Sequence, residues 1–428
     1  MDLGYFHYRL LIMCGMSFMA DAMEVSLLSF MSTCAGVDFD LNDTQIASIT
    51  SVVFAGELLG SMFWGPFADK YGRRMTFLLG SLTITIFGFL SGASPNYETL
   101  LAFRGLVGFG VGGLFVPFDI LAEFLPTKYR GQFLMGINYF WTLGSMFVAA
   151  LAWICLSSEG WRTLTYLTVI PVAISSALAV IYLPESPRWL IIEGRAEEAE
   201  VIIKNMATLN GQTLAPFKFH HTVHHEHTMG LKDFFSREHI GLTLPLWSVW
   251  FSFGFCYYAV ILFVTVVFEK NDTDDDGLVC DFEYAPIFLT AVSEVFGIFL
   301  VSTIVDRWGR VNSQITYFIG SALFVVLMGA KMSDHGLLIV SLFARLCAVA
   351  ANCAVWVSTP ELYPTEIRAS AHSAANCMAR VGAFLSPFVA ESQHLSFLGI
   401  GLIVGAVNLF GAGAAYFLPE TAGLSLAD

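Results

Sequence analysis

The sequence predicts an all-α membrane protein that crosses the bilayer about twelve times, as two related halves of six helices each. Three observations predict this: the chain is very apolar, long apolar stretches recur along it, and three short motifs occur twice. Of the 428 residues, 56% are hydrophobic and only 13% are charged, whereas about a quarter of residues are charged in soluble domains. A mean hydropathy of +0.67 agrees with a chain that lies mainly in lipid.

Three motifs of the first half return in the second half at a nearly constant distance. Asp69 corresponds to Asp306 at an offset of 237 residues, Glu123 to Glu361 at 238, and the Pro-Glu-Ser motif at 184 to Pro-Glu-Thr at 419 at 235. A nearly constant offset that relates three motifs in the same order indicates a duplicated unit. Such a repeat in an apolar chain is typical of secondary transporters, in which the solute binds between the halves.

Each apolar stretch of about 20 residues can cross a hydrocarbon core of roughly 30 Å as a helix. The stretches predict a first half over 1–183, a cytoplasmic linker over 184–239 with a short helix near 195–210, and a second half over 240–428. The predicted spans are 9–34, 46–68, 75–94, 99–122, 131–156, 163–183, 240–268, 284–305, 313–331, 335–360, 369–390 and 395–418.

Charge and glycosylation signals agree on the orientation of the chain. Most of the 21 Lys and Arg residues fall on one side of the predicted spans, which predicts that both termini are cytoplasmic. The two glycosylation sequons, at Asn42 and Asn271, fall on the outer side. The first span carries Asp21 and Glu24 and is too long for a cleavable signal peptide. The net charge of −14 comes largely from outer loops and predicts no nucleic-acid partner.

Five of the eight cysteines lie inside predicted spans, where they serve as small apolar packing residues. Only Cys34, Cys155 and Cys280 reach the outer side. The sequence leaves open whether two of these three form a disulfide.

The repeated turn around Asp69 and Asp306, together with Pro-Glu-Ser-Pro-Arg at 184–188, resembles the major facilitator superfamily in its sugar-porter-like branch. Further strings, MADAME at 19–24, RGLVGFG at 104–110 and MARVGA at 378–383, resemble the synaptic vesicle two-related proteins and their bacterial and plant relatives. The resemblance covers 5–420 and implies a major facilitator fold that works by alternating access. It leaves the substrate open, because members are associated with nicotinate, with organic cations or with no established solute.

The resemblance also implies a set of ion pairs that hold the cytoplasmic side closed. The turn needs glycines for a tight bend and an acid that can sit at the N-terminus of the next helix. The alternative is that these charges only set the topology. The predicted residues are Asp69, Arg73, Arg74, Glu123, Arg130, Glu185 and Arg188 in the first half, and Asp306, Arg310, Glu361 and Arg368 in the second.

Charges inside the spans are costly in hydrocarbon and normally face a cavity or a partner. Asp21 and Glu24 lie three residues apart, hence on one face of the first helix. Two close carboxyl groups do not both ionise easily, which predicts a site for a coupling proton. We expect Asp21 or Glu24 to carry that proton and Arg380 to pair with an acid or with the solute; the alternative is a fixed structural ion-pair network. The predicted spans also contain the acids Glu57, Asp119 and Glu294 and the bases Arg104 and Arg345. Members of the sugar-porter-like branch are expected to have uncharged residues in place of Glu57 and Asp119.

Aromatic residues on the same helices are candidates for the lining of a solute cavity, because flat rings suit an aromatic or cationic solute. The candidates are Trp141, Trp250, Tyr257 and Tyr258. The alternative for each of them is a helix-packing or lipid-facing role. The resemblance favours Trp141, which corresponds to a ligand-lining position of the vesicle proteins.

Two loop segments are candidates for metal binding. The acids Asp272, Asp274, Asp276 and Glu283, with a Gly at 277, fit the spacing of a calcium-binding loop. Five of the ten histidines lie at 220–227 in the linker, where they either bind metal or form a solvated segment. No other cofactor is predicted.

These observations predict a proton-coupled secondary transporter of a small organic solute, such as an organic cation or a nicotinate-like compound. No P-loop is found, and no pattern indicates an enzyme. A facilitative sugar porter and a non-transporting receptor or scaffold of vesicle membranes are the alternatives. We expect a monomer in the plasma membrane or in an internal vesicle.

Overall fold

The computed structural model describes residues 3–114, 116–212, 240–269, 280–363 and 368–422, without the side chains of 127–132, 134 and 368–370. Apart from an isolated bridge between Glu269 and Phe282, this part of the chain contains helices, turns and loops. The helices are α1 (Tyr5–Asp38), α2 (Asp43–Tyr71), α3 (Arg73–Gly92), α4 (Tyr97–Val111), α5 (Val116–Phe124), α6 (Thr127–Tyr182), α7 (Pro187–Ile192), α8 (Ala196–Leu209), α9 (Ile240–Val267), α10 (Tyr284–Trp308), α11 (Arg310–Met328), α12 (Asp334–Ser358) with a 3-10 turn (Thr359–Glu361), α13 (Arg368–Leu385), α14 (Pro387–Ala390) and α15 (Phe397–Tyr416).

The helices confirm a polytopic architecture in which every predicted span coincides with helix. Within the described residues, ten helical segments are long and apolar enough to cross a membrane. One of them, Met135–Tyr182, holds the fifth and sixth predicted spans end to end. Gly160, at φ 78°, breaks α6 between them, since this backbone conformation favours glycine. The eleventh predicted span corresponds to α13 and α14, and α8 confirms the short helix expected in the linker.

The described helices belong to two compact units whose boundaries differ from those of the sequence repeat. The first unit comprises residues 1–24, 56–145 and 165–225, and the second comprises 25–55, 146–164 and 226–428. The second unit thus includes the C-terminal part of α1 and the N-terminal part of α2. The predicted halves, 1–183 and 240–428, follow the repeat and remain a prediction.

In the first unit, α2 and α4 pack closely at glycines. A Cβ atom on Gly112, just after α4, would lie 2.6 Å from the carbonyl oxygen of Glu57 on α2. The small glycine residues therefore let the two helices approach closely. The close packing encloses Glu57 of α2 and Arg104 of α4, both with no exposed surface.

In the second unit, α9 is the central helix. It packs against α12, α13, α14 and α15, and its side chains from Phe255 to Val264 are all buried. Gly254 of α9 lies against the backbone of Ala379 of α13. A helix surrounded in this way holds its aromatic side chains in fixed positions.

A disulfide between Cys34 and Cys280 lies in the second unit, where it joins α1 to the segment that precedes α10. Of the three candidate cysteines, Cys155 is therefore the unpaired one. It is buried in α6, and its Sγ donates to the carbonyl oxygen of Leu151 at 3.0 Å.

Several predicted residues lie outside the described part of the chain. They are the sequon Asn271, the loop acids Asp272, Asp274 and Asp276, and the histidines of 220–227. Glu283 of the same loop is described and directly precedes α10. The other sequon residue, Asn42, is exposed, and its Oδ1 accepts the N–H of Gln45 in the first turn of α2 at 3.0 Å.

Candidate functional site

The turn between α2 and α3 is organised by the carboxylate of Glu185. Its Oε1 accepts the backbone N–H groups of Arg73 at 2.9 Å and of Arg74 at 3.3 Å, at the start of α3. Gly72 lies at φ 96°, and a Cβ atom there would collide with this carboxylate. The acid therefore caps the positive end of the α3 dipole, and the glycine is required for it to approach.

Side-chain contacts complete the first turn cluster, which we define as Asp69, Arg73, Glu123 and Glu185. Arg73 lies 3.2 Å from Asp69 (Nη1–Oδ1) and 3.8 Å from Glu123 (Nε–Oε1). The hydroxyl of Ser186 donates to Glu123. One arginine thus joins the ends of α2, α3 and α5 in the first unit.

The second half repeats this arrangement, in a second turn cluster formed by Asp306, Arg310, Glu361 and Glu420. The carboxylate of Glu420 accepts the N–H groups of Arg310 at 2.7 Å and of Val311 at 3.1 Å, next to Gly309 at φ 99°. Arg310 contacts Asp306 at 2.6 Å and forms two hydrogen bonds with Glu361, at 3.0 and 3.1 Å. The duplication therefore extends to individual hydrogen bonds.

The remaining residues of the predicted ion-pair set lie as follows. Arg74 donates from Nη2 to the carbonyl oxygen of Val180 at 2.6 Å, and Arg188 is exposed. The side chains of Arg130 and Arg368 are outside the described part of the structure.

A buried ion pair joins α1 and α4 in the first unit. Nη1 of Arg104 lies 2.7 Å from Oε1 of Glu24, and neither side chain is appreciably exposed. Within the described residues, Nε and Nη2 of Arg104 are buried without a hydrogen bond. Asp21 is buried one turn before Glu24, and Glu57 is buried on α2. Among the described residues of the first unit, three buried carboxyl groups therefore lie together with one buried guanidinium group.

A second buried pair lies in the second unit. Nε of Arg345 on α12 is 2.7 Å from Oε1 of Glu294 on α10, and the hydroxyl of Tyr257 donates to the same oxygen at 3.2 Å. Glu294 is offset by 237 residues from Glu57, and Arg345 by 241 from Arg104. The repeated arginine thus pairs with an acid of α10 in the second unit but with an acid of α1 in the first.

The aromatic candidates differ in their surroundings. Trp250 is fully buried, donates from Nε1 to Oγ1 of Thr359 at 2.9 Å, and packs 5.2 Å from both Trp356 and His372 between ring centroids. This favours the helix-packing alternative for Trp250. Trp141 on α6 is half-buried.

Arg380 on α13 is half-buried, and its Nη1 donates to the hydroxyl of Tyr258 at 3.1 Å. The ring of Tyr258 packs 4.6 Å from that of Phe54. Asp119, on α5, has an exposed side chain. Thus Arg380 keeps a surface for further contacts, whereas the ring of Tyr258 is enclosed.

Sequence reasoning missed two residues. Glu420 belongs to the repeated Pro-Glu-Thr motif, so its equivalence to Glu185 was a usable signal. Glu391 follows α14 and is buried, with its carboxylate accepting the hydroxyls of Ser32 and Thr50. It lies just beyond a predicted span and has no repeat partner among the motifs, so no sequence signal distinguished it.

The chain is similar to known proteins over nearly its whole length. A sequence profile described as "Sugar (and other) transporter" matches residues 6–428. The chain is 33% identical to synaptic vesicle 2-related protein of Bos taurus over 443 residues, which cover 99% of this chain and 80% of that protein. It is 31% identical to organic cation/carnitine transporter 7 of Arabidopsis thaliana over 477 residues, which cover 100% of this chain and 94% of that protein.

Among solved structures, the xylose transporter XylE from E. coli, in a partially occluded inward open conformation, matches with a TM-score of 0.78. The match covers 98% of this chain and 100% of XylE at 18% sequence identity. At this identity, the similarity shows a shared fold.

Proposed function

The chain belongs to the sugar (and other) transporter family, and we propose that it couples the movement of a small organic solute to that of protons. It is an integral multi-pass membrane protein of the major facilitator fold, and a transporter rather than an enzyme. Alternating access in such folds moves one bundle of helices against the other around a central site.

Proton coupling is supported by the excess of buried acids in the first unit. Asp21, Glu24 and Glu57 lie there, with Arg104 as the one buried arginine among the described residues of that unit. Burial disfavours the charged form of a carboxyl group and so favours the protonated form. Asp21 is buried one turn before Glu24, and Glu24 contacts Arg104 at 2.7 Å. We propose that Asp21 carries the coupling proton and that Glu24 fixes Arg104.

An organic cation is the solute class that we favour. The excess of buried acids suits a cationic solute, and a plant relative is named as an organic cation/carnitine transporter. A nicotinate-like anion is the second candidate, because the half-buried side chain of Arg380 carries a positive charge and the five N–H donors of a guanidinium group.

The two turn clusters are proposed to act as latches on the cytoplasmic side, with both termini on that side. Each latch consists of exposed or half-buried ion pairs around a helix start, which can separate at small cost because water screens them.

The acids of the outer loop, Glu283 and the aspartates before it, are proposed to bind calcium. A vesicle membrane is the proposed location, because the animal relative is a synaptic vesicle 2-related protein.

A facilitative sugar porter is the second candidate, supported by the family description and by the shared fold with XylE. Few Asn and Gln residues lie at mid-helix, although sugars are held mainly by amide and hydroxyl hydrogen bonds. A non-transporting receptor or scaffold is the third candidate, and the buried acids count against it, since a scaffold has no use for them.

Uptake into proteoliposomes tests the proposal. We would measure labelled organic cations, nicotinate and sugars with and without an inward proton gradient, for the parent chain and for Asp21→Asn. Glu98→Gln is the matched control, because Glu98 is an exposed acid in the first turn of α4. Gradient-stimulated cation uptake that Asp21→Asn abolishes and Glu98→Gln preserves supports the proposal. Sugar uptake that is indifferent to the gradient would favour the facilitative porter instead.

A further inference from the structure

Glu391 is a buried acid that forms no ion pair with any described residue. It follows α14 in the second unit, and only 7% of its surface is exposed. Its Oε1 accepts hydrogen bonds from Oγ of Ser32 on α1, at 2.7 Å, and from Oγ1 of Thr50 on α2, at 3.3 Å. Its Oε2 is buried and has no hydrogen-bond partner among the described residues.

Two hydroxyl donors on one oxygen are too few for an ionised carboxylate, which has about four acceptor positions. Leaving a buried charged oxygen without a donor costs free energy, whereas a carboxylic acid needs fewer donors. The geometry at Oε2 therefore fits the protonated form of Glu391.

The charged and titratable groups on the surrounding elements do not change this conclusion. They are Asp38 on α1, Asp43 on α2, Tyr257 and Tyr258 on α9, His372 and Arg380 on α13, His394 after α14, and Tyr416 on α15. Asp38 pairs with Arg162, Arg380 bonds to Tyr258, and Asp43 accepts the N–H of Gln393 and lies 3.8 Å from His394. Within the described residues, only Ser32 and Thr50 bond to the carboxylate of Glu391.

Glu391 also lies where helices of the first half of the sequence meet helices of the second half, within the second unit. Nearby, Oγ of Ser51 on α2 donates to the carbonyl oxygen of Phe384 on α13 at 2.9 Å. The disulfide of Cys34 and Cys280 adds a covalent link from α1. These contacts lie toward the side of the protein that the glycosylation sequon at Asn42 predicts to be the outer side.

We propose that Glu391 is a second proton-binding residue of the transport cycle, which holds α1 and α2 against α14 while it is protonated. The proton comes from water on the outer side and returns there when these contacts open. This inference rests on the proposed function, because it assumes that the outer contacts open and close during transport.

Burial raises the pKa of Glu391 from 4.5 to about 8, although the hydroxyls of Ser32 and Thr50 lower it in part. When the contacts open, water restores the ordinary pKa. The closed contacts therefore bind the proton more tightly than the open ones. The stabilisation that this proton gives to the closed contacts is fully present below the ordinary pKa of Glu391. It is lost as the pH rises through the pKa of Glu391 in the closed state.

Chemical labelling of a cysteine at these contacts tests the proposal without any transported solute. Ser51→Cys places a thiol at a buried position beside Phe384, and a membrane-impermeant maleimide is applied from outside at about pH 5.5 and about pH 8.5. The same reporter is measured with Glu391 and with Glu391→Gln, which stays neutral. Because the reagent itself reacts faster at high pH, the two backgrounds are compared at each pH. Labelling of the native cysteines, measured on the protein without the Ser51→Cys substitution, is subtracted.

We expect the labelling rate with Glu391 to exceed that with Glu391→Gln by about threefold or more at the higher pH and to match it at the lower pH. Thr50→Val provides a second test, because it removes a donor that favours the ionised form. It should move the midpoint of the labelling transition to higher pH.

Equal labelling in the Glu391 and Glu391→Gln backgrounds at both values of pH would overturn the proposal. If Glu391→Gln does not fold, an unchanged midpoint in Thr50→Val overturns it. The failure of the proposed function is distinguishable: uptake that ignores a proton gradient refutes proton-coupled transport, whereas the labelling ratio still decides whether Glu391 controls the outer contacts.

Discussion

Glu185 and Glu420, 235 residues apart, cap two different helices in the same way. Each carboxylate accepts the backbone N–H groups of the first two residues of a helix, Arg73 and Arg74 for Glu185 and Arg310 and Val311 for Glu420. Each also fills the space beside a glycine with positive φ, Gly72 or Gly309. The repeat thus preserves a helix cap made of a carboxylate, a helix N-terminus and a glycine, in which the carboxylate is far from the other two in sequence.

The cap at Glu420 predicts a pH-dependent contribution to stability. Burial raises the pKa of Glu420, but the backbone N–H groups of Ala422, Arg310, Val311 and Thr421 outweigh it and lower the pKa below its ordinary value. The stabilisation is therefore present above the ordinary pKa of 4.5 and is lost as the pH falls through the lower pKa of the folded state.

We expect Glu420→Gln to destabilise the detergent-solubilised protein by about 1 kcal/mol at neutral pH. The difference from the parent should shrink as the pH is lowered through the carboxyl range. Thermal unfolding at a series of pH values measures it, with Glu193→Gln as a control at an acid after α7 that forms no such cap. A difference that is constant with pH would contradict the role of the ionised carboxylate.

The glycines of the two caps give a prediction about backbone strain. Alanine at Gly72 or Gly309 would have to adopt a φ near 96° or 99° and would collide with the capping carboxylate. We expect each substitution to cost about 1–3 kcal/mol. Gly65→Ala is the matched control, because Gly65 belongs to the same motif and a Cβ atom there meets nothing within 4 Å. Equal melting temperatures for Gly72→Ala and Gly65→Ala would rule out this explanation.

The buried pair of Glu24 and Arg104 predicts strong coupling between two substitutions. Removing one partner leaves the other charge buried and uncompensated, at a cost of about 3–5 kcal/mol. We therefore expect Glu24→Gln and Arg104→Gln each to lower stability more than the double substitution does, as measured by thermal unfolding. Additive effects in this double-mutant cycle would mean that the 2.7 Å contact contributes no coupling.

The helices and the duplication of the turn motif could be predicted from the sequence, for a physical reason. Apolar stretches of membrane length have few alternatives to helix. In addition, the two copies of a repeated motif show which residues of the two halves are equivalent. Prediction from the sequence failed where the role of a side chain depends on contacts with residues far away along the chain. Glu391 becomes a buried acid because Ser32 and Thr50, more than 340 residues away, cover it. Likewise, the choice of Cys34 and Cys280 over Cys155 depends on how α1 packs near α10.

The aspartates of the turn clusters predict an effect on rate without an effect on stability. Asp69 and Asp306 are about 70% exposed, at 73% and 70% of their side-chain surface, and exposed ion pairs contribute about 0–1 kcal/mol. We expect Asp69→Asn to leave the melting temperature nearly unchanged and to slow uptake severalfold without a change in solute preference. Asp334→Asn, at an exposed acid in the first turn of α12, is the control. Uptake that stays at the parent rate would remove the latch role of Asp69.

The disulfide between Cys34 and Cys280 predicts that the protein is less stable under reducing conditions. The bond closes a loop with a sequence separation of 246 residues, and native disulfides typically contribute about 2–4 kcal/mol. Reduction should therefore lower the melting temperature of the parent chain. It should have no effect on Cys280→Ser, which already lacks the bond and should melt near the reduced parent. Cys155→Ser is the control, because Cys155 is a free buried cysteine, and this variant should still respond to reductant. A parent chain that melts at one temperature with and without reductant would show that the bond does not stabilise the fold.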